Sequence, residues 1–175
     1  MKKRASGSAR RALQVVLAAG VAVGATQAVE AGDLFLKIVG LPGESTDSKH
    51  KDDIDVTSFA QSVDGPKCGQ LAFTKFVDKA SPGLADAAAK KSSFASATFV
   101  ARKAGKEAVE YYTLSLSNVS VSSWDQAFSD GASQAAEQVV LSARTVTISY
   151  RPQKADGTLD AAVVATFDCK ASKKD

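Results

Sequence analysis

The chain has 175 residues, of which 45% are hydrophobic and 23% are charged, and its formal net charge is +3. This length fits one domain or two small ones, and the composition excludes both a wholly disordered chain and a polytopic membrane protein. Twelve glycines and four prolines without a period exclude a collagen-like chain.

The first 31 residues predict a cleavable secretory signal peptide. Five basic residues precede position 12, and an apolar segment, Ala12 to Thr26, follows them. A positive region, an apolar region and small residues at a cleavage point are typical of a segment that a signal peptidase removes. We expect cleavage between Ala31 and Gly32, which leaves one mature domain, residues 32–175.

Three alternatives to this processing stay open. Cleavage after Ala28 is possible, and the Arg10–Arg11 pair is compatible with a twin-arginine signal. A permanent membrane anchor is the third, although Gln14 and Gly20 leave the segment short of the roughly 20 apolar residues that a span needs. The sequence therefore favours export, to the periplasm or outside the cell, without stable membrane insertion after cleavage.

The positive net charge of the chain comes from this leader. Residues 1–31 contain five basic residues and one acidic residue, so subtracting their +4 from +3 leaves about −1 on the mature domain. Its lysines and arginines are scattered among at least as many carboxylates. Because binding to a phosphate backbone depends on clustered basic residues, the composition does not predict a nucleic-acid partner.

Alternation of apolar and polar residues predicts about seven strands in the mature domain. They cover residues 32–40, 53–60, 71–77, 94–103, 109–119, 138–151 and 161–169. In the strand at 138–151, the apolar phase changes from Val139 and Leu141 to Val146 and Ile148. Such a change predicts a bulge or bend near 142–145, or burial on both faces.

One helix is predicted between the third and fourth strands. Ser81 is a suitable N-cap, and Pro82 is suited to the first helical position, so the helix covers about 82–91. A turn at 104–106 is expected to join the fourth and fifth strands as a hairpin. Strands with a single helix predict a mostly β domain, either a barrel or a sandwich.

Two cysteines, Cys68 and Cys169, lie in the predicted mature domain. In an exported chain an even number of cysteines favours a disulfide, which here would close a loop of about 100 residues. The alternatives are two buried free thiols, or a reactive nucleophile whose only available histidine base is His50. Their spacing does not make a metal-ligand set.

Five segments of the mature chain carry a resemblance to a known protein family. They are GDLFLKIVGLPGES at 32–45, DDIDVTSF at 52–59, LAFTKFVDKASPGL at 71–84, ARKAG at 101–105 and ISYRPQKADGT at 148–158. Together they resemble the haemolysin-coregulated protein (Hcp) family of the type VI secretion machine. Each is a strand with a turn, and the five occur in the family's order across nearly the whole mature chain.

The resemblance implies a fold and a non-catalytic function. The implied fold is a compact β-barrel of two packed antiparallel sheets with one short flanking α-helix. The implied function is that of a hexameric ring that stacks into a hollow tube and carries effectors in its lumen. Its expected partners are copies of itself, secreted effectors and other proteins of the secretion machine. The alternative is an exported Hcp-like protein-binding module that builds no tube.

Two features depart from the family pattern. The segment AQSVDGPKCG at 60–69 is short where the family commonly has a longer glycine-rich loop that takes part in contacts between rings. The leader is the second departure, because tube subunits of the family assemble in the cytoplasm. An exported paralogue with a stabilising disulfide accounts for both the leader and the cysteines.

The sequence offers no recognisable catalytic, cofactor or metal motif. We expect His50, between two lysines, to be solvated. The nearby acids Asp47, Asp52, Asp53 and Asp55 are also expected to be solvated, because they lack the glycine and glutamate of an EF-hand.

Trp124 allows two interpretations. It belongs either to the core, which we favour, or to an exposed contact with a partner.

Overall fold

The computed structural model describes residues 32–63, 65, 68–103 and 108–169. The predicted leader, including Ala31, lies outside the described residues, and so does the predicted turn at 104–106. Gly32 is the first described residue.

Nine strands and one helix make up the described chain. They are β1 (Asp33–Ile38), β2 (Ile54–Asp55), β3 (Ser58–Gln61), β4 (Leu71–Phe76), α1 (Ser81–Lys90), β5 (Ser93–Lys103), β6 (Val109–Ala127), β7 (Ala136–Ser142), β8 (Thr145–Tyr150) and β9 (Val163–Asp168). The mostly β class with one short helix is confirmed.

All nine strands belong to one antiparallel sheet, so the expectation of two separate packed sheets in a barrel is wrong for the described residues. The main order is β2-β1-β5-β6-β7-β4-β3, and β8 pairs with β6 and β9. Strand β6 makes this possible, because its 19 residues are long enough to pair with β8 in one half and β7 in the other. The sheet curves around one core without closing into a barrel.

The predicted strand at 53–60 is two strands. Strand β2 pairs with β1, whereas β3 pairs with β4. Between them the Val56 N–H donates to the Leu34 carbonyl, and the next N–H, of Thr57, donates to the Thr74 carbonyl. The chain thus changes partners at this point, which its continuous alternation of side chains does not reveal.

The predicted irregularity at 142–145 is confirmed. Strands β7 and β8 both pair with the same edge of β6, and Ala143 and Arg144 interrupt the pairing between them. Val139 and Leu141 are buried before the interruption, and Val146 is buried after it. The register with β6 is the same on both sides of the interruption, so β6 changes its apolar phase at the same point and the core face of all three strands stays apolar.

Helix α1 lies against β6, and its Leu84 and Ala87 side chains are buried in the core. It begins at Ser81, and its N-cap is Ala80 without a side-chain cap, so the predicted capping role of Ser81 is wrong. The Ser81 side chain is buried and used elsewhere, as described below. Lys91 ends the helix in the left-handed conformation, with φ of 53°.

Candidate assembly interface

The hairpin of β8 and β9 carries apolar side chains that the domain does not cover. Val163 is 66% exposed, Val164 is 58% exposed, and Tyr150 is 45% exposed. Val163 and Tyr150 are register partners on one face, whereas Val164 points to the other face. Uncovered apolar side chains on both faces of one hairpin are typical of a surface that another molecule covers.

Strand β9 also has a free edge. It pairs with β8 from Val163 to Asp168, and no other strand in the described part of the chain pairs with it. Among its six side chains only Phe167 is partly buried. An edge strand of this kind offers backbone N–H and C=O groups to a further strand.

Cys68 and Cys169 are disulfide-bonded in the structure, with their Cα atoms 4.9 Å apart. Cys68 lies three residues before β4, and Cys169 directly follows β9. The Cys169 N–H also donates to the carbonyl of Arg144, at 2.6 Å. The bond therefore lies at the interruption between β7 and β8, where it joins the start of β4 to the end of β9.

His50 is buried, so the expectation of a solvated side chain is wrong. Its ring is stacked on Phe35, with 4.1 Å between the centroids and 9° between the planes. Its Nδ1 lies 3.0 Å from an Asp53 carboxylate oxygen, and its Nε2 lies 3.4 Å from a Glu110 oxygen. The flanking lysines remain exposed while the loop folds back over β1, which brings the imidazole against the aromatic ring.

Arg102 holds the same loop from the other side. Its guanidinium lies 4.8 Å from the centre of the Phe35 ring and forms ion pairs of 2.7 Å with Asp33 and Asp47. The hydrogen bond from Arg102, together with the backbone N–H groups of Lys49 and then His50, lowers the pKa of Asp47 to about 2. The loop between β1 and β2 is therefore attached to the sheet by charge and stacking.

The acids near the loop have different surroundings. Asp52 and Asp55 are exposed as predicted, and an ion pair with Lys79 lowers the pKa of Asp52. Asp53 is buried, so its predicted solvation is wrong; it faces the imidazole of His50. Across the described residues, no group of three His, Cys, Asp or Glu side chains could hold a metal ion.

Trp124 is partly buried and packs against the core, which confirms the favoured interpretation. Its indole N–H is buried without a hydrogen-bond partner among the described residues. It therefore takes no part in the exposed hairpin surface.

Sequence reasoning missed a buried ionic network beside α1. Lys75 Nζ lies 2.9 Å from Glu137 and 2.7 Å from Asp78, and it donates to the Ser81 hydroxyl. Ser81 in turn donates to Glu137, whose second oxygen accepts from Gln126. The available signal was the position of Lys75 in phase with Leu71 and Phe73 on the core face of its strand.

Comparison with known proteins identifies the family of the chain. The sequence profile described as "Type VI secretion system effector, Hcp" matches residues 35–150. The chain belongs to the Hcp family. It is 36% identical over 143 residues to "Protein hcp1" of Pseudomonas aeruginosa, a match that covers 73% of this chain and 88% of that relative.

Solved Hcp structures have the same fold. Hcp1 from Salmonella typhimurium superimposes with a TM-score of 0.71 and 32% identity over 79% of this chain and 94% of that one. A type VI secretion system effector from Yersinia pestis gives a TM-score of 0.69 and 30% identity over 78% and 99% of the two chains. The protein is thus an Hcp-like tube subunit of the type VI secretion system, a structural protein. Within the described residues no helix is long and apolar enough to cross a membrane.

Proposed function

We propose that this Hcp-family protein assembles into hexameric rings, that the β8–β9 hairpin is part of the contact between subunits, and that the rings carry secreted proteins. The observation that carries the proposal is the uncovered apolar surface of Val163, Val164 and Tyr150 beside the free edge of β9. Burying such side chains stabilises an association by about 25 cal/mol for each Å² removed from water. In a ring, this hairpin contacts a different patch on the neighbouring copy, and such a head-to-tail contact closes when the rotation between copies completes a full turn.

The test is negative-stain microscopy with light scattering on the purified full chain. We expect ring-shaped particles with the mass of six chains. Val163→Asp places a charge in the contact and should yield monomers. The matched control is Val39→Asp, because Val39 is also exposed, at 53%, but lies after β1, far along the sheet order from β9. Monomers of the unaltered, oxidised protein at every concentration would refute the proposal and favour a binding module without a tube.

We also propose that residues 1–31 are removed on export, which leaves residues 32–175 in the periplasm or outside the cell with Cys68 and Cys169 oxidised. The position of β1 supports this boundary, because the strand begins at Asp33, one residue beyond the predicted cleavage point. Gly32 supports it too, since a side chain at this position would clash with the Arg102 carbonyl of the neighbouring strand. The first described strand thus begins next to the proposed new N-terminus.

Intact mass and N-terminal sequencing of the protein from each cell fraction test this export. We expect Gly32 at the N-terminus of the exported protein, and a mass two hydrogens lower than that of the reduced chain. An uncleaved chain that remains in the cytoplasm with two free thiols would refute the proposal. An N-terminus at Val29 would correct the cleavage site alone.

A further inference from the structure

We infer that the Cys68–Cys169 bond controls ring assembly, because it joins the end of β9, and with it the proposed subunit contact, covalently to the start of β4. This inference rests on the proposed ring and adds a condition to it. An oxidised subunit presents the hairpin surface, and a reduced subunit loses it.

The position of the bond follows from the strand register. Leu71 at the start of β4 is paired with Leu141 of β7, and Asp168 at the end of β9 is paired with Thr145 of β8. Strands β7 and β8 lie along one edge of β6, separated by the interruption at 143–144. The start of β4 and the end of β9 therefore meet across that interruption, and the disulfide joins them there.

Apart from its backbone pairing with β8, β9 has few buried contacts, and among its side chains only that of Phe167 packs partly against the core. The side chains from Val163 to Thr166 are exposed, and its side-chain hydrogen bonds to β8, Thr145 to Asp168 and Thr147 to Thr166, are exposed as well. Strands with few buried apolar contacts and solvent-exposed hydrogen bonds open at a low free-energy cost. A covalent connection at one end limits that opening, and its loss allows β9 to separate from β8.

The chemistry needs only a thiol reductant of the kind that reducing compartments contain. A reductant thiolate attacks one sulfur of the bond and forms a mixed disulfide, and a second reductant thiol displaces the protein thiol. Two electrons pass to the protein, which ends with two cysteine thiols, and the reductant ends as a disulfide. Both cysteines are partly exposed, so a small thiol can reach the bond. Such bonds persist in oxidising compartments, so assembly would follow export.

The experiment compares oxidised full chain, the same protein reduced with dithiothreitol, and the Cys68→Ser/Cys169→Ser variant. Native mass spectrometry measures the hexamer, and hydrogen exchange measures the amides of 163–168 against those of 97–100 in the central strand β5. Reduction should accelerate exchange in β9 at least tenfold, leave β5 protected and abolish the hexamer. Reoxidation should restore the hexamer. The double variant should be monomeric with or without reductant, which controls for other effects of dithiothreitol.

The outcomes separate the two proposals. Rings in both the oxidised and the reduced protein overturn the redox inference and leave the proposed function intact. Unchanged exchange in β9 after reduction overturns it as well. Absence of rings in the oxidised protein overturns the proposed function and the redox inference together. Protection at 97–100 shows in every arm that the domain is still folded.

Discussion

Replacing Lys75 with methionine tests the buried network beside α1 most sharply. The Lys75 and Glu137 side chains are both fully buried, and Asp78 is the second acid within ion-pair distance of the ammonium. Methionine fills nearly the same volume without the charge. The Lys75→Met variant therefore leaves the Glu137 carboxylate buried without its cation.

The expected loss of folding stability differs between substitution of Lys75 and substitution of Glu137. Removing one partner of a buried pair costs about 3–5 kcal/mol, because an uncompensated charge remains in the interior. Glu137→Gln leaves Lys75 paired with Asp78, so we expect a smaller loss, about 1–3 kcal/mol. In the Lys75→Met/Glu137→Leu variant neither position 75 nor position 137 carries a buried charge without an ion-pair partner. We expect the double variant to be more stable than Lys75→Met alone.

Urea unfolding followed by the fluorescence of Trp124, the only tryptophan, gives these free energies. All variants should carry Val163→Asp, so that unfolding is not coupled to assembly. The reasoning is refuted if Lys75→Met costs less than about 1 kcal/mol, or if the double variant is less stable than the single one.

Three further predictions concern the attached loop and the disulfide. Asp47→Asn should lower the stability of the fold at pH 7. The folded-state pKa of Asp47 is lowered from 3.8 to about 2, so the stabilisation from its carboxylate is fully present above pH 3.8 and is lost as the pH falls through 2. The acid unfolding curves of the variant and the parent should therefore converge between these two pH values. His50→Ala should cost about 1–3 kcal/mol in urea unfolding, because it removes the stack on Phe35 and leaves the Asp53 carboxylate without its partner; an unchanged midpoint would contradict the buried geometry. Replacing Cys169 with serine should cost up to about 4–5 kcal/mol, the chain-entropy value for a loop of about 100 residues, and equal stability of the oxidised parent and the variant would contradict it.

The strands were predictable where the alternation of apolar and polar residues along the chain determines them. The phase change from Val139 and Leu141 to Val146 placed the interruption between β7 and β8, because strict alternation with period two cannot keep both sets of side chains on one face of the sheet. Partner choice was not predictable. The division at Val56 depends on the positions of β1 and β4, which no local pattern encodes.

For a related reason, the sequence predicted some of the site residues correctly and missed others. The structure pairs the two cysteines, as their even number favoured for a chain that was predicted to be exported. The burial of His50 was missed because the polar character of its loop neighbours says nothing about where one ring points once the loop folds over Phe35. The network around Lys75 was missed because its members, such as Glu137, are distant in sequence and meet only through strand pairing.

If this Hcp-family chain assembles into rings through the β8–β9 hairpin, the particle mass in solution must show it. Native mass spectrometry of the oxidised protein, run beside Val163→Asp and Val39→Asp, counts the chains in each particle. We expect six chains for the unaltered protein and for Val39→Asp, and one chain for Val163→Asp. A single chain for the unaltered protein, or six chains for Val163→Asp, would contradict it.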